Sequence, residues 1–460
     1  MNRMRNVQKF LSAALAAMLL LASVGQATAA ATYYIVQDLG TLPGDNSSIA
    51  WGINERGDVV GWSNGPNGHR AFLFTDAGGI VALPGLPDKP RTIARRINDA
   101  GDIVGTADAG GTDLGHAVRW RGGAIKDLGT LAAGAYSEGW GINSFGDVVG
   151  ESYTNGGSFS GVHAFLYTDA NGLVDLTPTS DTGRARDIND AGQVTGYKTA
   201  LGGYHAFRWT SGTFEDLGVL PGFAHSFGFA IQGSGRVAGS SSTGSGNSEH
   251  IFRFTDGVGM QDLGGVGEHN QAWSINGAGN VVGVLGQHAP RAFLYTDETG
   301  LKDLNGLIDQ SLGWVLLGAF DINDAGQIVG YGFNNFTQTT HAVRLQPMST
   351  PPSECSFNCL RSTAINLTSK VARGVVTVKG QVIVRDENGT PVPEALVAAT
   401  WTLPNGTTQS QNAWTDNKGL ALFSTSLNRG TYTLKVVNIV KSLYTFNPSE
   451  SVLSKSITVR

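Results

Sequence analysis

The residues of this sequence best suited to chemistry are its histidines, six of which recur about once every 45 residues. They are His69, His116, His163, His205, His250 and His341. A zinc ion needs ligand atoms about 2 Å away. Equivalent positions in neighbouring β-sheet units would lie roughly 13 Å apart, because strands are spaced at about 4.8 Å. We therefore expect no metal site here, and instead a repeated structural hydrogen bond from each imidazole.

Motifs for hydrolysis are missing from the sequence. It has no nucleophile elbow with triad partners and no His-Glu-x-x-His. Residues 187–192 and the equivalent run from Asp321 resemble a calcium loop, but Ala191 and Ala325 stand where an oxygen ligand is required. Turn chemistry explains both runs. The prediction is no catalytic residue, no bound metal and no cofactor.

A second set of polar and aromatic residues lies where the repeated units differ most from one another. A scaffold repeats its residues and a binding site does not, so we take the connections between successive units as the candidate site. The predicted rim consists of Tyr136, Glu138, Arg184, His225, Phe227, His269, Gln271 and Trp314. The alternative, that these are ordinary solvated loop residues, stays open.

Self-similarity indicates which elements position these residues. The element Ile-Asn-x-x-Gly recurs at Ile53, Ile97, Ile142, Ile188, Ile275 and Ile322, with a degenerate copy at Ile231. Each copy holds short β-branched and aromatic runs broken by Gly, Asn and Asp, without a sustained 3.6-residue period. Glycine contributes 64 of the 460 residues, which indicates dense turns. We predict an all-β fold with four strands in each unit.

The two ends of the repeated region complete each other. Residues 33–40 look like a fourth strand without its unit, and the last unit stops after its third strand at His341. Pairing of these ends would give seven complete blades and remove an open sheet edge. We predict a seven-bladed β-propeller over residues 31–347, closed by the N-terminal strand; a linear β-solenoid is the alternative.

The position two residues before each repeated Ile is large in every unit. It is occupied by Trp51, Arg95, Trp140, Arg186, Phe229, Trp273 and Phe320. We expect these side chains to pack between blades, with Arg95 and Arg186 stacked on Trp140. An aromatic ring facing a ligand at the channel mouth is the alternative.

The tripeptides 163–165 and 205–207, both His-Ala-Phe, resemble those of the HAF-repeat family of extracellular bacterial proteins, as do the variants at His116 and His341. The resemblance covers about 315 residues in seven registers. It implies export and a propeller-like array, and it supplies no activity.

The N-terminus has the pattern of a secretory signal peptide over residues 1–30. Arg3, Arg5 and Lys9 precede an apolar run over 10–24, and small residues follow at 27–29. We expect a secreted protein, extracellular, periplasmic or on the cell surface, with no membrane span. Without this segment the chain has 29 basic groups (32 minus 3) against 37 acidic ones, so nucleic acid is not expected as a partner.

The repeat ends before a Pro- and Ser-rich linker, residues 348–360. Its Cys355 and Cys359 are predicted to form a local disulfide, since an exported chain meets an oxidising compartment. Residues 361–460 show alternating strands and hairpin turns typical of a β-sandwich. The run 391–397 before Trp401, followed by Gly-Thr-Tyr at 430–432, resembles bacterial Ig-like modules, which implies a spacer or weak binding unit. Few contacts are expected across the linker.

The leading functional hypothesis is a secreted, monomeric, non-enzymatic binding protein. Its loop face would bind an extracellular glycan, peptide or protein. The alternative is a polysaccharide-active glycosidase or lyase that uses loop acids with His225 or His269. A structural matrix component is the third possibility.

Overall fold

The computed structural model describes residues 33–110, 115–131, 136–154, 161–179, 182–244, 248–348, 359–372, 374–386, 388–441, 444–448 and 451–460. Over these residues the chain is all-β, with short 3₁₀ turns at Leu304–Leu307 and Gln310–Leu312 and no α-helix. No helix in these ranges is long and apolar enough to cross a membrane. The predicted signal peptide and most of the predicted linker, including Cys355, lie outside the described residues.

The repeated region, residues 33–348, consists of 28 strands in the described ranges. Their bounds are β1 Tyr33–Gly40, β2 Ser47–Ile53, β3 Val59–Gly65, β4 Gly68–Thr75, β5 Gly79–Ala82, β6 Arg91–Ile97, β7 Ile103–Asp108, β8 His116–Arg121, β9 Ala124–Gly129, β10 Ser137–Ile142, β11 Val148–Tyr153, β12 Val162–Thr168, β13 Gly172–Asp175, β14 Gly183–Ile188, β15 Val194–Ala200, β16 Gly203–Thr210, β17 Thr213–Asp216, β18 His225–Ile231, β19 Val237–Ser242, β20 Glu249–Thr255, β21 Gly259–Gly264, β22 Gln271–Ile275, β23 Val281–Leu285, β24 Arg291–Thr296, β25 Gly300–Asp303, β26 Trp314–Ile322, β27 Ile328–Asn334 and β28 Thr339–Met348.

These strands pair as successive antiparallel groups of four, and a single parallel bridge between Ser47 of β2 and Thr340 of β28 joins the first and last groups into one eight-stranded sheet. Groups 1 to 6 are β2–β5, β6–β9, β10–β13, β14–β17, β18–β21 and β22–β25, and group 7 is β26–β28 completed by β1. Strand β1 pairs with β28 from Tyr33 opposite Met348 to Gly40 opposite Ala342. The predicted pairing of the N-terminal strand with the last unit is therefore confirmed.

The first strands of the groups contact one another in a cycle. Each contacts the first strand of the next group, and β26 of group 7 contacts β2 of group 1. Hydrophobic clusters fill the spaces between neighbouring groups, with Phe72, Phe165, Phe207 and Phe252 completely buried. The core is thus divided into layers between sheets, and each group depends on its neighbours.

The repeated Ile-Asn-x-x-Gly element forms the turn from the first to the second strand. In group 1, Oδ1 of Asn54 accepts hydrogen bonds from the N–H groups of Arg56 and Asp58, and Gly57 adopts φ +83°. The Nδ2 of Asn54 donates to the carbonyl of Asn98 in group 2 at 3.2 Å. In group 7, Asn323 donates to the carbonyl of Asn54 at 3.0 Å. The motif therefore makes a turn and also joins neighbouring groups.

Five of the six repeated histidines hydrogen-bond to an aspartate on the fourth strand of their own group. The distances from Nδ1 to the carboxylate are 2.8 Å for His116–Asp127, 2.6 Å for His163–Asp175, 2.8 Å for His205–Asp216, 2.9 Å for His250–Asp262 and 3.0 Å for His341–Asp38. The sixth, His69, packs against the ring of Trp62. The predicted structural hydrogen bond is confirmed for these five.

Four arginines on third strands also tie groups together: Arg119, Arg208, Arg253 and Arg344. Each donates from Nη1 to a glycine carbonyl in the next group and from Nη2 to an aspartate of that group. Arg344 of group 7 contacts the carbonyl of Gly57 at 2.7 Å and Asp76 at 2.5 Å, both in group 1. These arginine contacts include the junction where the ring of groups closes.

The C-terminal part forms two four-stranded sheets. Its strands are β29 Cys359–Ala372, β30 Val375–Arg385, β31 Leu396–Thr402, β32 Thr408–Trp414, β33 Leu420–Leu427, β34 Gly430–Val440, β35 Thr445–Phe446 and β36 Ser454–Val459. The sheet orders are β33-β30-β29-β35 and β32-β31-β34-β36, around a core that contains Trp401 and Tyr432. Cys359 is disulfide-bonded, but because Cys355 is not described the predicted pairing stays a prediction.

The repeated region and the C-terminal part contact each other at two places. Leu312 of the repeated region packs against the core of the C-terminal sheets. The Nδ2 of Asn412 donates to the carbonyl of Phe336 at 3.1 Å. These contacts come from the 3₁₀ turn Gln310–Leu312 and from the hairpin between β27 and β28, and the expectation of few contacts across the linker stays a prediction.

Candidate functional site

A β-bulge interrupts the first strand of every group at the same place. The pairing with the second strand skips one residue, which is Trp51, Arg95, Trp140, Arg186, Phe229, Trp273 or Phe320. A bulged residue leaves the hydrogen-bonded ladder, so its side chain is re-aimed. We call these seven residues the axial ring.

The axial ring fills the centre of the cycle of groups. The ring centroid of Trp51 lies 6.3 Å from that of Trp140 and 5.5 Å from that of Trp273, and the Trp140 and Trp273 rings are 6.4 Å apart. These three residues belong to groups 1, 3 and 6, which are not neighbours. The expectation that the tryptophans pack between blades is therefore wrong, because the bulges turn them towards the centre.

Trp140 is held between two guanidinium groups. The Cζ of Arg95 lies 3.7 Å from the centroid of the indole, and the Cζ of Arg186 lies 4.1 Å from it. The predicted stacking is confirmed. Both cations gain from the electron-rich indole faces, which lowers the cost of keeping them nearly buried.

A charged cluster surrounds this stack, formed by Arg95, Glu138, Glu151, Arg184 and Arg186 from groups 2, 3 and 4. Nη2 of Arg95 lies 2.8 Å from Oε1 of Glu138, and Nη1 of Arg184 lies 2.5 Å from Oε1 of Glu151. Nη2 of Arg186 lies 3.3 Å from Oε2 of Glu151. The Glu151 side chain is 3% exposed, whereas those of Glu138 and Arg184 are 18% and 25% exposed, so solvent reaches the cluster at Glu138 and Arg184.

The pKa values of the two carboxylates in the charged cluster are shifted in opposite directions. Burial opposes ionisation of Glu138, but Arg95 and the hydroxyl of Tyr136 together hold its pKa below the usual value. Burial dominates at Glu151 and raises its pKa in spite of Arg186 and Arg184. Burial, with Glu138 nearby, also raises the pKa of Tyr136.

An aromatic cluster adjoins the charged cluster on groups 4 and 5. It comprises Tyr197, Tyr204, His225 and Phe227, and the ring centroid of Phe227 lies 4.9 Å from that of Tyr197 and 6.1 Å from that of Tyr204. Nδ1 of His225 accepts a hydrogen bond from the N–H of Tyr204 at 2.9 Å. Nη2 of Arg186 lies 3.3 Å from the Tyr197 hydroxyl, which makes the two clusters continuous.

The structure brings together five of the eight predicted rim residues. Tyr136, Glu138 and Arg184 belong to or adjoin the charged cluster, and His225 and Phe227 belong to the aromatic cluster.

The other three rim residues are placed differently. Gln271 lies two residues before its bulge, as Glu138 does, but on group 6. His269 is exposed with φ +56°. Trp314 is 5% exposed in the hydrophobic cluster of Leu304 and Ile308, so it is a core residue.

Sequence reasoning missed Glu151, Tyr197 and Tyr204, which come from second and third strands. A usable signal exists for two of them. Glu151 and Tyr197 directly follow the repeated Gly of the second strand, where the other groups have Trp62, Thr106, Ser240, Val284 and Tyr331. That position varies as much as the connections do. Within the described ranges, no three His, Cys, Asp or Glu side chains are placed to hold a metal ion.

No protein-family model and no curated protein matches this chain. Among solved structures, dipeptidyl peptidase 4 from Porphyromonas gingivalis is similar with a TM-score of 0.35 and 7% identity, covering 75% of this chain and 65% of its own. TolB from Acinetobacter baumannii has a TM-score of 0.34 and 12% identity, covering 60% and 61%. An exo-β-1,3-galactanase from Phanerochaete chrysosporium has a TM-score of 0.27 and 11% identity, covering 86% and 94%. All three TM-scores are below 0.5, so this likeness carries no argument about fold or function.

Proposed function

We propose that this chain is an exported protein with a seven-bladed β-propeller, in which groups 1 to 7 are the blades, and a C-terminal Ig-like sandwich. The cycle of contacts among first strands supports the propeller, as does the completion of group 7 by β1. The paired sheets around Trp401 support the sandwich. The charge and hydrophobicity pattern of residues 1–30 supports export, and the His-Ala-Phe tripeptides at 163–165 and 205–207 support membership of the HAF-repeat family.

We infer that the propeller is a binding protein and that its ligand contacts the charged and aromatic clusters. The observation that carries this inference is their asymmetry. All seven groups contribute a residue to the axial ring, but the charged cluster is confined to groups 2 to 4 and the aromatic cluster to groups 4 and 5. A scaffold does not require buried charges, since apolar residues of similar volume are as stable or more so.

A glycan is the ligand class that these side chains suit best. Tyr204 is 37% exposed, and Phe227 and His225 are partly exposed, so ring faces are available to the apolar faces of sugar rings. Arg184 and Glu138 supply hydrogen-bond donors and acceptors for hydroxyl groups beside them. Peptides and proteins are the alternative ligand classes.

The test is an array of defined oligosaccharides, followed by isothermal titration with the strongest binder. Tyr204→Ala and Phe227→Ala should each weaken binding about tenfold or more, because each removes a stacking surface. Val258→Ala is the control, since Val258 is 64% exposed on a hairpin of group 5 between its third and fourth strands. Equal affinity of all three variants would reject the site, and the absence of glycan binding would reject a glycan as its ligand in favour of a peptide or protein.

A second candidate function is hydrolysis or elimination on a polysaccharide. It is favoured by the opposite pKa shifts of Glu138 and Glu151, the pattern of an acid and a base of one reaction. The burial of Glu151 weighs against direct contact with a substrate. Release of reducing ends from a polysaccharide panel, lost in Glu138→Gln and Glu151→Gln, would favour this candidate over binding alone.

A further inference from the structure

A cavity of about 520 Å³ lies away from the charged and aromatic clusters, between groups 5 and 6. One wall is the connection that follows β21 and includes Val266 and Glu268. The other wall belongs to group 6, where Leu285 and Leu301 form apolar surface. Small-ligand sites commonly have a volume of about 300–1,000 Å³, so this cavity has a suitable size.

Group 6 departs from the repeated pattern at this cavity. Six groups place a histidine at the start of the third strand, and in five of them Nδ1 lies 2.6 to 3.0 Å from an aspartate. Group 6 has Arg291 there, and its Nη1 lies 3.6 Å from Oδ2 of Asp303. The Arg291 side chain is 62% exposed and both residues line the cavity. In five other groups a histidine is sufficient to pair with the aspartate, so this structural pairing does not explain why group 6 has an arginine.

Arginine brings a planar fork of N–H groups and a permanent positive charge. One edge of the guanidinium can stay near Asp303 while another edge binds a carboxylate. The planar arrangement of the N–H groups matches a carboxylate, which accepts two parallel hydrogen bonds from it. The acidic Glu268 stands on the opposite wall, and Val266 is 64% exposed beside it. The cavity therefore combines a carboxylate-binding cation, a hydrogen-bond acceptor and aliphatic surface.

We propose that this cavity binds the carboxyl terminus of a short peptide whose last residue is aliphatic. The terminal carboxylate contacts Arg291, the aliphatic side chain packs on Leu285, Leu301 and Val266, and a peptide N–H donates to Glu268. The charges on the two walls determine the direction of the peptide. A sugar is a poorer fit, since the lining residues include no Tyr, Trp or Phe and His288 supplies their only ring. The site uses none of the residues proposed to bind a glycan.

The test is isothermal titration of the whole protein with N-acetyl-Ala-Ala-Leu as the free acid and as the C-terminal amide. The acid should bind saturably and about tenfold or more tightly than the amide, because only the acid offers a charge-assisted bidentate contact. Arg291→Gln should remove this preference. Ala289→Trp should abolish binding of both peptides, since Ala289 is exposed and lines the cavity, so a large side chain there fills it without disturbing the core.

Phe227→Ala is the matched control, because it weakens the proposed glycan site and should leave peptide affinity unchanged. Equal affinity for acid and amide, unchanged preference in Arg291→Gln, or no saturable binding of the acid at millimolar concentration would each overturn the proposal. If the protein binds the peptide acid but no glycan, only the glycan proposal is rejected. If it binds a glycan but not the peptide acid, only the peptide proposal is rejected.

Discussion

Glu138 on β10 and Glu151 on β11 lie directly opposite each other as a cross-strand pair. Two like charges in this relationship destabilise a sheet. Here Arg95 approaches Glu138 from group 2, while Arg184 and Arg186 approach Glu151 from group 4. The pair is therefore tolerated only because the groups on both sides supply cations, which makes it a product of the assembled ring.

Glu138→Gln should destabilise the protein by about 2–3 kcal/mol at pH 7, because Arg95 then lacks its buried partner. The pKa of Glu138 is lowered in the folded state, so its contribution is present above the ordinary value of 4.5 and is lost as the pH falls through the folded value. Denaturant unfolding at pH 7 and pH 3 measures the difference, which should shrink at pH 3.

Glu151→Gln is the matched control for that variant. Burial raises the pKa of Glu151, so the fold disfavours its charged form and a neutral replacement costs less at pH 7. A larger loss for Glu151→Gln than for Glu138→Gln at pH 7 would contradict the assignment of the two shifts.

Asp187 should make stability fall as the pH rises between about 4 and 6. Burial raises its pKa from 3.8 to about 6, so above pH 4 the unfolded chain releases the proton before the folded one does. The stability of Asp187→Asn relative to the natural protein should improve by about 2–3 kcal/mol between pH 4 and pH 7.

The measurement is denaturant unfolding across this pH range, with Asp190→Asn, which changes an exposed aspartate nearby, as control. Asp187 itself accepts the N–H groups of Ile188 and Ile231 at 2.9 Å, so Asp187→Asn carries an added penalty that does not depend on pH. Parallel curves for the natural protein and Asp187→Asn would show that the aspartate does not titrate in this way.

Arg344→Met should cost about 2–3 kcal/mol, because the carbonyl of Gly57 and the carboxylate of Asp76 lose a charged donor. It should also speed hydrogen exchange in β1 and β28, since the chain joins group 1 to group 7 only through β1, and β1 is held to β28 by hydrogen bonds alone. Arg208→Met removes the equivalent contacts between groups 4 and 5, which the chain joins directly. Hydrogen exchange that rises equally in both variants would mean that the closing junction is no weaker than the others.

Deletion of residues 33–40 should lower the melting temperature by roughly ten degrees or more, or cause aggregation. The reason is that β1 supplies the whole fourth strand of group 7, and its loss exposes the edge of β28. Gln37→Ala is the control: it keeps the strand and removes only the 3.0 Å hydrogen bond from Nε of Arg344. An unchanged melting temperature after the deletion would reject closure of the ring by this strand.

Much of the fold follows from local sequence patterns. The Ile-Asn-x-x-Gly turns, the alternating strands and the His–Asp pairs each depend on residues within about a dozen positions, or on the repetition itself. Closure by β1 was also predictable, because a strand without a unit and a unit without a strand are visible in the order of motifs. Trp314 shows the limit: the same reasoning placed it on the rim, whereas the 3₁₀ turn at Leu304–Leu307 forms part of the core around it.

Which residues form the candidate site was decided by the tertiary structure. The side chains of the axial ring point towards the centre because of seven bulges. Each bulge skips one residue in the strand pairing, which reverses the side of the sheet on which a side chain lies. The charged cluster joins Arg95 to Glu138 across 43 residues and Arg184 to Glu151 across 33. Sequence alone determined that the chain repeats a four-stranded unit and completes its last unit with its first strand. Which unequal residues of those units meet depends on the close approach of strands at the centre of the ring, where residues distant in sequence become neighbours.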